Sequence, residues 1–295
     1  MRCNANFKGS IVAIVTPFKD GKVDEEKLKE LVEFHIKSGT SGIVPCGTTG
    51  ESATLSYEEH KKVIEIVISA VKKRILVIAG TGSNNTDEVL MLTEHSKSAG
   101  ADAVLIVSPY YNRPTQKGLY LHFKKIAESV DIPIILYNIQ SRTGVNIEPE
   151  TMAKLSEIKN IIGVKEASGS LEQVSKIISL CKKDFILLSG DDSLTLPMLS
   201  VGAKGVISVV ANIVPREIAE LVASYEKGNI SQAQNLHYKL FPLMKALFIE
   251  TNPIPIKTAM ALKGMILNEL RLPMCEMEEA NLNKLKKALS DFGLI

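Results

Sequence analysis

No Cys-x-x-Cys pair, no His-x-x-x-His pair and no apolar run of membrane-spanning length occurs in this 295-residue chain, and each absence removes a class of protein. The four cysteines, Cys3, Cys46, Cys181 and Cys275, are scattered. A chain this long has no need of disulfide staples, so they read as reduced thiols. The five histidines, His35, His60, His95, His122 and His237, give a zinc site or a metal-dependent aldolase no support. The longest apolar stretches, at 11–15, 103–107 and 132–137, are strand-length, far short of the ~20 residues that cross a bilayer. The first ten residues lack the apolar core of a secretory signal, which leaves a cytoplasmic protein as the expectation. Charge of one sign is missing too. Lys and Arg number 35 against 33 Asp and Glu, so no broad field draws nucleic acid or a membrane surface, and small ligands are expected.

What is present is a globular composition, 45% hydrophobic and 23% charged, with a repeating pattern inside it. Short β-branched runs at 11–15, 42–45, 75–79, 103–107, 133–137, 161–164, 186–189 and 205–208 alternate with longer amphipathic stretches. Residues 24–38 show the pattern: Leu28, Leu31, Val32 and His35 or Ile36 fall at helical spacing behind Asp24, a capping residue. Eight βα units predict an α/β fold closed as a (β/α)₈ TIM barrel over residues 1–224. A doubly wound sheet would carry a glycine-rich turn after its first strand, and here that strand runs into Thr16-Pro17-Phe18. Beyond Pro215 only helical spacing remains, as in Leu236, Leu240, Leu243, Met244 and Leu247. Residues 225–295 therefore form a C-terminal helical appendage, and with no Pro/Gly/Ser-rich linker before it, the appendage packs on the barrel.

In such barrels chemistry sits at the C-terminal strand ends. The second expected strand closes with Cys46-Gly47-Thr48-Thr49-Gly50-Glu51, the fifth with Tyr137-Asn138-Ile139-Gln140-Ser141-Arg142-Thr143-Gly144, and the sixth with Val164-Lys165-Glu166. An ammonium on Lys165, following an apolar run and pointing into the barrel, is partly desolvated, which favours the neutral amine that attacks ketones. A lone strand-end lysine more often snorkels to water. Tyr137 and Arg142 shift that balance: a phenol can shuttle protons during imine formation, and a guanidinium can hold a carboxylate through paired hydrogen bonds. Gly47-Thr48-Thr49-Gly50 offers hydroxyls and backbone N–H groups to a small carboxylate but is no P-loop, lacking Gly-Lys-Ser/Thr. Pro109-Tyr110-Tyr111-Asn112 brings two phenols toward the same face, or is simply a packed loop. A pyridoxal-phosphate lysine lacks a phosphate-binding segment and an acidic pyridinium partner, so no cofactor is expected.

Together these segments resemble the dihydrodipicolinate synthase/N-acetylneuraminate lyase family of class I aldolase barrels. The resemblance runs along essentially the whole chain, through residues 9–11, 47–52, 77–82, 109–113, 137–144, 163–167, 188–192, 205–208 and 250–257. It implies that Lys165 forms an imine with pyruvate, and that Thr48, Tyr137 and Tyr111 form a proton relay, Tyr111 entering from a neighbouring subunit. Thr49 would hold the pyruvate carboxylate, Arg142 the carboxylate of L-aspartate-4-semialdehyde, and the backbone of Gly190 and Ile207 would line the pocket. Sialic-acid lyases of the family usually carry Gly-Ser-Thr-Gly-Glu and lack Ser-Arg-Thr-Gly, so the resemblance favours the synthase branch. The alternatives are another 2-keto acid aldolase using the same imine, or a barrel that binds ligands without catalysis.

The resemblance further implies a homotetramer built as a dimer of dimers. It also implies feedback binding of L-lysine at Ser52, Ala53, His60, Asn84, Glu88 and Tyr110. Two departures stand out. Gln140 occupies a position that is generally proline in the family, which would restrict the loop before Arg142. Tyr57 stands where some lysine-sensitive members have histidine.

Overall fold

The computed structural model describes residues 7–295, so Cys3 lies outside the described residues. Strand β1 (Gly9–Ala13) leads into a short antiparallel hairpin, β2 (Phe18–Lys19) and β3 (Lys22–Val23). Then come β4 (Gly42–Val44), β5 (Leu76–Gly80), β6 (Ala103–Val107), β7 (Ile134–Asn138), β8 (Ile161–Glu166), β9 (Ile186–Ser189) and β10 (Gly205–Ser208). All but the hairpin pair in parallel and close into a barrel in the order β1-β10-β9-β8-β7-β6-β5-β4. Each barrel strand lies within two residues of its sequence-based position. The hairpin was not expected, because strands of two residues carry no periodicity.

Parallel strands buried on both faces need apolar residues at every position, and period two decides which way each points. Ile11, Val44, Ile78, Leu105, Ile135, Leu188 and Ile207 form one cluster inside the barrel. Their neighbours Val12, Ile43, Val77, Val104, Leu136, Leu187 and Val206 pack outward in a second cluster shared with the helices. Each fully buried Leu or Ile side chain contributes roughly 1.5–3 kcal/mol from apolar burial.

The helices follow their strands and start where capping chemistry allows. Asp24 accepts from the Lys27 N–H at the head of Glu25–Lys37, and Ser56 with Glu59 forms a reciprocal capping box for Tyr57–Val71. The last barrel helix, Pro215–Glu226, runs through the expected division at 224/225, and the appended helices are Ile230–Ala246, Ile254–Leu262 and Glu279–Phe292. Leu236, Leu240, Leu243, Met244 and Leu247 are buried in the same outer cluster as the barrel, so the appendage is part of one packed unit. Among the described residues no helix is long and apolar enough to cross a membrane.

Candidate active site

Strand register carries Lys165 into the barrel. Tyr137 on β7, Lys165 on β8 and Leu188 on β9 are successive partners across the sheet, and Tyr137 and Leu188 belong to the interior cluster. Lys165 is 5% exposed, with its Nζ 4.1 Å from the centre of the Tyr137 ring. Glu166, one residue on, takes the opposite face, and its carboxylate accepts from Asn138 Nδ2 at 3.0 Å and from the Ser168 N–H at 2.8 Å. The alternation of the strand thus turns the adjacent carboxylate away from the amine. Gly190 leaves room for the lysine stem: a Cβ there would lie 3.1 Å from both Cγ and Cε of Lys165. Ile207, 1% exposed, belongs to the same interior cluster as Tyr137 and Leu188.

The turn after β4 holds the two threonines. It packs tightly on the next strand, since a Cβ on Gly80 would lie 2.3 Å from the Cys46 carbonyl oxygen. Thr49 is 2% exposed, and its Oγ1 accepts from Asn252 Nδ2 at 3.0 Å. Glu51, in left-handed backbone at φ 52°, ends the turn in a buried ion pair with Lys257 at 2.5 Å. Burial pushes the Lys257 ammonium below its usual range, and Glu51 opposes that shift. Arg271 donates its backbone N–H to Glu51 and grips Glu59 with Nη1 and Nη2, at 2.7 and 2.6 Å. The buried ring of Phe18 lies near both cations, 4.2 Å from Lys257 Nζ and 4.3 Å from Arg271 Cζ. Three residues of the appendage, Asn252, Lys257 and Arg271, therefore anchor the threonine turn.

Arg142 lies on a helical turn, Gln140–Thr143, and its Nη2 donates to the Asn252 carbonyl at 3.1 Å. In place of proline, Gln140 opens that turn, and its carbonyl accepts from the Gly144 N–H at 2.9 Å. A cavity of about 580 Å³ is lined by Thr48, Arg142 and Asn252 together with Ser52, Ala53, His60, Glu88 and Tyr110. Glu88 accepts from Ser83 Oγ at 2.6 Å and also from the Tyr57 hydroxyl; these bonds, led by Ser83, hold its carboxyl below the usual range. The His60 ring is buried, with Nε2 2.7 Å from the Gly80 carbonyl oxygen, so that nitrogen is engaged by backbone. Asn84 is tied in through its carbonyl, which accepts from Asn112 Nδ2 at 3.0 Å. Tyr111 stands apart, 89% exposed in left-handed backbone at φ 70°.

The sequence profile described as the Dihydrodipicolinate synthetase family matches residues 6–292. The chain belongs to the dihydrodipicolinate synthetase family. A relative named 4-hydroxy-tetrahydrodipicolinate synthase, from Syntrophus aciditrophicus (strain SB), is 61% identical over 289 residues, covering 98% of this chain and 99% of its own. The crystal structure of dihydrodipicolinate synthase from Aquifex aeolicus superposes with a TM-score of 0.96 at 54% identity, over 98% of this chain and 99% of that one. An enzyme of the family from Cyanidioschyzon merolae, solved with lysine bound, gives a TM-score of 0.96 at 41% identity, over 99% of this chain and 100% of that one.

Within this dihydrodipicolinate synthetase barrel, Thr48 and Arg142 line the cavity, while Lys165 and Tyr137 pair across the barrel interior. The residues behind them went unassigned. Asn252, Lys257 and Arg271 lie some two hundred positions from the turn they hold, and nothing in their spacing announces that contact. The matching stretch 250–257 was the one signal that pointed toward two of them. Tyr57, noticed as a departure, turns out to donate to Glu88.

Proposed function

We propose that this chain condenses pyruvate with L-aspartate-4-semialdehyde to give 4-hydroxy-tetrahydrodipicolinate, the first committed step of lysine biosynthesis through diaminopimelate. It is a lyase of the class I aldolase type, and its chemistry runs through an imine on Lys165. The observation that carries this reading is the buried Lys165 amine beside the Tyr137 ring.

The Lys165 Nζ lone pair attacks the pyruvate ketone carbon, and the oxygen leaves as water once it has been protonated. Tyr137, with Thr48 and the Tyr111 of a neighbouring subunit, carries the protons out and back. Loss of a methyl proton converts the imine to an enamine, whose carbon attacks the aldehyde carbon of the second substrate. The amino group of that substrate then adds to the imine carbon and displaces Lys165, closing the six-membered ring and restoring the free amine. Thr49 and the backbone of the turn hold the pyruvate carboxylate, and Arg142 receives the carboxylate of the semialdehyde through paired hydrogen bonds. The backbone at Gly190 and Ile207 shapes the wall against the lysine stem. No cofactor enters this scheme.

L-Lysine is assigned to the part of the cavity where Glu88 pairs with an ammonium and Tyr110 with a carboxylate, while Ser52, Ala53, His60 and Asn84 form the surroundings. A relative solved with lysine bound supports L-lysine as the ligand. The exposed, left-handed Tyr111 supports a shared active site in a homodimer, paired again into a tetramer. A cytoplasmic location fits a biosynthetic enzyme. Incubating the protein with pyruvate and, in turn, L-aspartate-4-semialdehyde or N-acetylmannosamine tests the reaction. Condensation with the semialdehyde alone is expected, and preference for the sugar would reverse the assignment.

A further inference from the structure

Asn252 belongs to the appendage and has no part in the proton transfers above, yet it reaches both carboxylate-binding positions. It is 4% exposed. Its Nδ2 donates to Thr49 Oγ1 at 3.0 Å, and its backbone carbonyl accepts from Arg142 Nη2 at 3.1 Å. Its Oδ1 is buried and meets no donor among the described residues. The orientation of the amide, with Nδ2 and not Oδ1 toward Thr49, decides what it does to the threonine. A hydroxyl has one hydrogen and two lone pairs, and a carboxylate can only accept. Because Thr49 Oγ1 takes the Asn252 N–H on a lone pair, its single hydrogen stays available for a ligand carboxylate. The reversed amide would satisfy Oδ1 by consuming that hydrogen, and Thr49 would then face a carboxylate with lone pairs.

We propose that Asn252 is a positioning residue that sets the Thr49 hydroxyl as a donor toward the pyruvate carboxylate, while its backbone carbonyl aims Arg142 at the second substrate. This rests on the reaction proposed above. The side chain serves one substrate and the main chain the other, so side-chain variants separate the two.

Steady-state kinetics of wild type, Asn252→Ala, Asn252→Asp, Thr49→Val and Asn252→Ala/Thr49→Val, varying each substrate, tests the proposal. Removing the amide raises the pyruvate KM about tenfold and leaves the semialdehyde KM within about twofold. The isosteric Asn252→Asp is the more damaging variant for pyruvate, because its carboxylate draws the Thr49 hydrogen and repels a like charge. A purely structural role gives the opposite order, with the isosteric change milder. In the Thr49→Val background, Asn252→Ala adds nothing further to the pyruvate KM. The proposal is overturned by Asn252→Asp being no worse than Asn252→Ala, by the two KM values rising together, or by multiplicative effects with Thr49→Val. If Asn252→Ala does not fold, Asn252→Asp against wild type carries the test, and an unchanged pyruvate KM overturns it. A wild type that fails to condense the two substrates counts against the reaction instead, and borohydride trapping of pyruvate alone across the variants then still reads the Asn252 effect.

Discussion

Tyr137 and Lys165 are direct partners across β7 and β8, and this pairing sets the amine 4.1 Å from the centre of the phenol ring. Both side chains enter the barrel because period two gives them the same face, and the same rule sends Glu166 to the other side. A nucleophile and its proton shuttle are thereby held on two hydrogen-bonded strands, a more rigid support than loops provide.

Gly190→Ala tests how closely that support fits. The added methyl would meet Ala167 Cβ at 2.8 Å and the Lys165 stem at 3.1 Å. The stem must give by a few tenths of an ångström, and since a full ångström of misplacement costs about a hundredfold, kcat should fall by about two- to tenfold. Overpacking costs about 1–3 kcal/mol of stability, so the barrel remains folded. Unchanged turnover in a folded variant, with thermal melting as the check, would show that the close approach has no catalytic consequence.

The grip of Arg271 on Glu59 predicts an acid limb in stability. Hydrogen bonds from the guanidinium hold the Glu59 carboxyl at about 2, and backbone and side-chain bonds from Ser56 add to this. A lowered folded-state pKa stabilises the fold fully above the ordinary carboxylate value of about 4.3. The contribution is lost as pH falls from there through about 2. Allowing for solvent screening of a partly exposed pair, it amounts to about 1–2 kcal/mol. Urea titrations between neutral and acid pH should show a shallower loss in Glu59→Gln than in wild type, and parallel curves would remove the pair from the account.

How much of this was legible in the sequence follows physical lines. The barrel strands were, because β-branched runs repeat at regular intervals and each buries both faces. So was the placement of Lys165, Tyr137 and Arg142 at or just after strand ends, because the apolar runs before them mark where each strand stops. The anchoring of the threonine turn was not: Asn252 and Lys257 meet Thr49 and Glu51 across more than two hundred residues, and contacts of that separation leave no periodic trace. The hairpin of β2 and β3 was too short to show, and the bond from Tyr57 to Glu88 links the starts of two helices, Tyr57–Val71 and Thr86–Ala99, which spacing does not reveal.

L-Lysine at millimolar concentration is expected to inhibit condensation, with its ammonium at the Glu88 carboxylate. Glu88→Ala should relieve this inhibition by about tenfold or more in the half-inhibiting concentration, since a charge-assisted bond is lost. Tyr57→Phe, which removes only the bond to Glu88, should give a smaller shift. Inhibition curves for the three proteins decide it, and equal sensitivity would place lysine elsewhere.

Tyr111, 89% exposed on the single chain, is expected to complete the active site of a neighbouring subunit. Tyr111→Phe should therefore lower kcat by about a hundredfold while leaving assembly intact. In sedimentation across a dilution series, wild-type activity should fall as the dimer dissociates. Full activity in a monomer would rule out the shared relay.

The central claim is that Lys165 carries pyruvate as an imine, and reduction makes that bond permanent. Incubation with pyruvate and sodium borohydride, followed by peptide mapping, should find the adduct on the peptide containing Lys165 and none after Lys165→Ala. An adduct on any other lysine, the buried Lys257 included, or none in the wild type, would contradict the account.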